Sequence, residues 1–150
     1  MKTKFFFAAL VAMTLIGCDK AEPETPIVPE VSDYKGTVTV MYQGSPFNNE
    51  NIAVNFTPAE DGKTASITIY QIRFVPQMPV TIDVTIPNVT VQSTPEKILL
   101  SGDQIIPLAM GGEFPQYTVT GLEGEIVGQE LAFSMNFGDS PIYFRGELQK

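Results

Sequence analysis

The chain has 150 residues, with 17 Asp and Glu against 9 Lys and Arg, a formal net charge of −8 and no histidine. Without histidine there is no Ser-His-Asp triad, no imidazole zinc site and no histidine pH switch, and the acidic balance disfavours nucleic acid, which demands Lys and Arg clusters. Cys18 is the single cysteine, so the folded part has no intrachain disulfide, thiolate nucleophile or Cys-rich metal site, and its core must hold by packing.

The chain opens with Lys2 and Lys4 ahead of an apolar or small run from Phe5 to Ile16, the layout of an export signal. The run is too short to span a bilayer, which takes about 20 apolar residues. Leu15-Ile16-Gly17-Cys18 resembles the lipidation box of a bacterial lipoprotein signal. That resemblance implies a signal peptide over 1–17, an acylated Cys18 as the first mature residue, and the membrane as a partner through it. The implied address is the cell envelope, at the outer membrane in preference to the inner, with the domain in the periplasm or at the cell surface. Asp19, next to the cysteine, resembles an inner-membrane retention signal of some bacteria. Lys2 and Lys4 leave with the leader, so the mature net charge is about −10.

From Cys18 to Asp33 the chain mixes carboxylates with Pro23, Pro26 and Pro29. Proline fixes φ and like charges repel, which predicts an extended stalk of roughly 45 Å at about 3.1 Å per residue. An edge strand through Ile27, Val28 and Val31 is the competing reading, opposed by two prolines that lack an N–H.

From Tyr34 the hydrophobic period becomes two, and 34–150 is expected to be one domain with a modest core. Strands are predicted from Thr37 to Tyr42, Ile52 to Phe56, Ser66 to Ile69, Val80 to Val91, Ile98 to Ile105, Tyr117 to Val127, Leu131 to Phe137 and Ile142 to Leu148, with no helix. Short connections rich in Gly, Pro, Asp and Ser favour an antiparallel meander. Interior glycines such as Gly36, Gly121, Gly124 and Gly146 suit bends where a sheet closes, and Pro87 suits a bulge or a break. The fold class expected is all-β, an eight-stranded antiparallel up-and-down barrel.

Tyr34-Lys35-Gly36-Thr37-Val38-Thr39-Val40, Ile72-Arg73-Phe74 with the segment from Met78 to Val89, Val119-Thr120-Gly121-Leu122-Glu123-Gly124 and Phe144-Arg145-Gly146 together resemble the calycin-like β-barrel domain of Bacteroides-type lipoproteins. The resemblance covers Tyr34 to the C-terminus and implies a lipocalin-like barrel. It carries no catalytic signature and no cofactor.

One strand face offers bulky side chains, among them Val38, Val40, Tyr42, Val80, Ile82, Phe133 and Phe144. Such a barrel is either filled by them or holds one small ligand. In a meander the loops alternate between two ends, and the chain enters from the tethered one. The opposite, distal end therefore gathers Phe47, Phe74, Val75, Met78, Met110 and Phe114. Apolar loop residues are costly unless they pack, so these six are expected either to rim a pocket or docking patch or to fold inward as a plug. Glu123 and Glu125 share a strand face about 7 Å apart, and a solvated outer face explains them better than acid–base or cation chemistry. Gly111-Gly112 reads as a turn pair with no following helix to cradle an anion. The functional expectation is a non-enzymatic, lipid-anchored protein without cofactor or metal, binding a small apolar or amphipathic ligand in or at the mouth of the barrel. The alternative is an interaction or structural protein with a filled barrel that presents its distal loops to a protein or glycan.

Overall fold

A computed structural model describes residues 25–150; the leader, Cys18 and the first part of the linker lie outside the described residues. Eight strands close into an antiparallel up-and-down barrel: β1 (Ser32–Tyr42), β2 (Ser45–Pro58), β3 (Thr64–Ile72), β4 (Ile82–Ser93), β5 (Ile98–Gly102), β8 (Val119–Val127), β9 (Glu130–Phe137) and β10 (Ser140–Leu148). Two short strands, β6 (Leu108–Ala109) and β7 (Gly112–Glu113), form a hairpin inside the long connection between β5 and β8. Each barrel strand pairs with its chain neighbour, and β1 pairs with β10 from Tyr34↔Leu148 to Val40↔Ile142 to close the ring. Closure removes the unpaired edges that an open sheet would present.

The period-two pattern works because successive side chains point to opposite faces of a strand. Inward positions such as Val38, Val54, Ile67, Val84, Leu131 and Ile142 are fully buried, and no polar or charged side chain is buried among the described residues. Bulges keep that alternation in register while the sheet curls. One falls in β4 at Pro87-Asn88, where the ladder with β3 shifts between Ala65 and Ile67 and Asn88 takes a left-handed φ of 58°. A second falls in β8 at Gly121, φ 60°, where the ladder with β9 shifts between Thr120 and Glu123. Gly36 and Gly146 face each other across the closing seam, so close that a Cβ on Gly36 would lie 2.0 Å from the Arg145 carbonyl oxygen.

The structure corrects several boundaries. β4 begins at Ile82, so Val80 lies in the preceding loop and is exposed instead of facing the core, while Ile82 and Tyr42 are only half-buried. β5 ends at Gly102, and Ile105 makes one isolated bridge to Val119. Tyr117 belongs to a single 3-10 turn, Pro115–Tyr117. The linker does not stand clear of the barrel up to Asp33. The Ile27 amide donates to the Thr94 carbonyl at 3.0 Å, its side chain packs on the core near the end where the chain enters the barrel, and β1 starts at Ser32. Burying one isoleucine face offsets the ordering of this short stretch, which the proline spacing did not announce.

Candidate functional site

The connections β1–β2, β3–β4, β5–β8 and β9–β10 lie at the distal end, and the chain enters β1 at the other. There Phe74 stacks on Phe137 with centroids 4.5 Å apart, Tyr117 stacks on Phe137 at 5.2 Å, and Phe114 tilts against Tyr117 at 6.2 Å. Phe47, Phe74 and Phe114 are half-buried against the core, so these three predicted rim residues pack inward. Offset aromatic stacks of this kind add to the apolar area they bury.

The β3–β4 loop that carries Phe74 is tied down by bonds to β2 and within itself. Asn49 Nδ2 donates to the Arg73 carbonyl and the Arg73 amide donates back to Asn49 Oδ1, both at 3.0 Å. Arg73 Nε donates to the Met78 carbonyl at 3.2 Å, and the Phe74 amide approaches Met78 Sδ at 3.1 Å. Val75 and Met78 are half-buried by this folding.

Met110 behaves differently. It sits at the tip of the β6–β7 hairpin, 72% exposed, with φ 49° followed by Gly111 at φ 83°. Two consecutive left-handed residues make the primed turn that suits a two-residue hairpin, for which Asn-Gly is the favoured pair. A methionine at the first position costs roughly 1 kcal/mol in backbone strain, and its exposed thioether chain recovers nothing from the core. The hairpin is anchored by Val84↔Ala109 and Thr85↔Leu108. Between it and the start of β4 runs an open cleft of about 840 Å³, lined by the apolar Val80, Leu108 and Met110 and by the polar Gln71, Asp83 and Glu113 among others.

Of the six predicted rim residues, the structure therefore brings Phe74 and Phe114 into one aromatic stopper, packs Phe47 against the core beside β1, draws Val75 and Met78 into the tied loop, and leaves Met110 on the cleft. Sequence reasoning missed Tyr117 and Phe137 as parts of the stopper, and Val80 and Leu108 as cleft walls. The signal for the hairpin was the Met110-Gly111-Gly112 turn flanked by Leu108-Ala109 and Glu113, too short for a period to register. Among the described residues no group of three His, Cys, Asp or Glu side chains is placed to hold a metal ion. Compared with known proteins, the chain matches no family model, no curated protein and no solved structure.

Proposed function

We propose that the protein is a lipid-anchored, non-enzymatic binding module of the cell envelope, of the calycin-like lipoprotein type, which holds an amphipathic ligand at the distal mouth of its barrel. The observation that carries this is Met110, an apolar side chain kept exposed on a left-handed backbone in a cleft lined by both apolar and polar side chains. A residue that is costly both in conformation and in exposure is explained by what it touches. The bulky inward side chains and the aromatic stopper support a ligand outside the barrel, in the cleft, over one inside it. Lipidation at Cys18 would bring the domain to the membrane with this cleft at the far end.

The chain from Thr25 onward, titrated with dodecylphosphocholine below its micelle concentration, tests the reading. Binding is expected, weakened at least about tenfold by Met110→Asn, while the same substitution raises stability by about 0.5–1 kcal/mol because Asn tolerates the left-handed turn. Unchanged binding in Met110→Asn would overturn it. The anchor is checked separately: Cys18→Ala in the full chain is expected to remain unprocessed and to lose its acyl label.

The interaction reading is favoured by a different observation, an open trough on the barrel wall away from this cleft.

A further inference from the structure

On the outside of the barrel, β9 presents two small side chains, Ala132 and Ser134, between taller neighbours. Arg145 and Tyr143 on β10 stand directly across from Ala132 and Ser134 on one side. Glu125 and Glu123 on β8 stand across from the same two residues on the other. The two walls are two strand spacings apart, about 10 Å, and the two rows are about 7 Å apart along the strands. This stretch, floored by β9, is the middle of an open trough of about 780 Å³ that also reaches Thr37 and Thr39 on β1 and Leu99 and Ser101 on β5.

Two of the three charges on its walls, Glu125 and Arg145, are already matched. Lys97 Nζ lies 3.2 Å from Glu125 Oε1, and Arg145 Nη1 lies 3.0 Å from Glu130 Oε2. Each pair is individually weak, but together they offset Glu125 and Arg145 and leave Glu123 as the one unpaired charge on the walls, a field that disfavours an anionic ligand. Among the described residues, the side chains of Tyr143, Ser134 and Glu123 make no hydrogen bond or ion pair, although they lie in one row across three strands. Tyr143 is 50% exposed, so its ring is available along the wall. An extended peptide cannot add here as a strand, because the β9 backbone is paired on both sides. Along this row a ligand meets an aromatic ring, a hydroxyl and a carboxylate that are free to bind it.

We propose that this trough binds a neutral oligosaccharide, with Tyr143 covering the C–H face of one sugar ring and Ser134 and Glu123 hydrogen-bonding its hydroxyls. A sugar ring has the required duality: an apolar face that an aromatic side chain desolvates, and equatorial hydroxyls that both donate and accept. The small floor residues leave room for the ring between the walls. This site is separate from the Met110 cleft and stands or falls independently of it.

The test uses the full lipid-anchored chain in phospholipid nanodiscs, titrated with cellohexaose, maltohexaose and xylohexaose to roughly 10 mM each and followed by calorimetry and saturation-transfer NMR. At least one hexasaccharide is expected to bind with a Kd between about 10 μM and 1 mM, with saturation transfer strongest to ring C–H protons. Tyr143→Ala is expected to weaken binding at least about tenfold, Glu123→Gln several-fold, and Ala132→Leu to abolish it by filling the floor. Glu123→Gln changes an exposed carboxylate without altering shape, so it stays informative should either other variant fold poorly. Lack of binding by all three sugars would overturn the proposal, as would binding that survives both Tyr143→Ala and Glu123→Gln. Capture of a Ser-Gly decapeptide in a Tyr143-dependent manner, without sugar binding, would overturn it in favour of a peptide.

Discussion

At the scale of single residues, the closing seam tolerates no added atom. A Cβ on Gly36 would lie 2.0 Å from the Arg145 oxygen and 2.4 Å from Gly146 Cα, and a Cβ on Gly146 would meet the Lys35 oxygen at 2.7 Å. These three contacts are with backbone of the partner strand, so relief requires pulling β1 from β10. Gly36→Ala is accordingly expected to cost about 3 kcal/mol or more, at the upper end of overpacking, as read from the denaturation midpoint. Tyr34 lies on the same seam, paired with Leu148 and almost fully buried. Burial pushes its phenol above the usual value of 10.0, against a smaller opposing effect of a hydrogen bond with Ser32. Below that value the phenol is neutral in both folded and unfolded chains. As pH rises past it, the unfolded phenol ionises first, so stability falls until the folded group ionises too. Tyr34→Phe is expected to flatten the loss of stability above about pH 10 measured by urea denaturation, with little change near pH 7.

At the scale of elements, the stopper and the hairpin both draw on the long β5–β8 connection, yet they differ in how firmly they are held. Phe137 is buried, and Phe74 and Tyr117 stack on it. Phe137→Ala is expected to lose about 3–5 kcal/mol and to raise amide exchange through 73–79 and 114–118 together, because two elements lose one shared support. The β6–β7 hairpin meets β4 through two residue pairs only and should exchange faster than the barrel strands whatever the stopper does. The barrel strands were legible because a half-buried strand imposes a period of two over several residues, as from Thr37 to Tyr42 or Leu131 to Phe137. The loop parity was legible too, since a meander fixes which connections share an end. Direction was not: nothing in the spacing of Phe47, Phe74, Phe114 and Met110 separates a side chain folded under its loop from one held outside it. That depends on contacts with Phe137 and Tyr117, which are remote in sequence or hidden in a turn. The trough was unreadable for a similar reason. Glu123 and Glu125 are recognisable as an outward pair, but Tyr143 and Arg145 join them only through the register of three strands.

At the scale of the whole molecule, everything depends on the ring being closed by its last strand. β10 pairs with β9 on one side and with β1 on the other, and it contributes Ile142 and Phe144 to the core. Beyond it, the Gln149 amide donates to the Asp33 carbonyl at 2.8 Å, bringing Gln149 beside the entry to β1. Removing 140–150 would expose the pairing groups of both β1 and β9 and open the core between them. Two long, unprotected edges lead to association rather than to a smaller stable barrel. The truncated chain is therefore expected to elute as oligomers on size exclusion and to lose its cooperative thermal transition. Because the missing element is a single strand flanked by two edges of fixed register, a synthetic peptide of residues 140–150 should restore a monomer-sized complex by strand addition. The same peptide carrying Ala at Ile142 and Phe144 should fail, since ladder hydrogen bonds without the inward side chains leave the core open. A truncated chain that stayed monomeric and melted cooperatively would mean that the remaining seven strands can close or cap themselves, and the seam glycines would then lose their explanation.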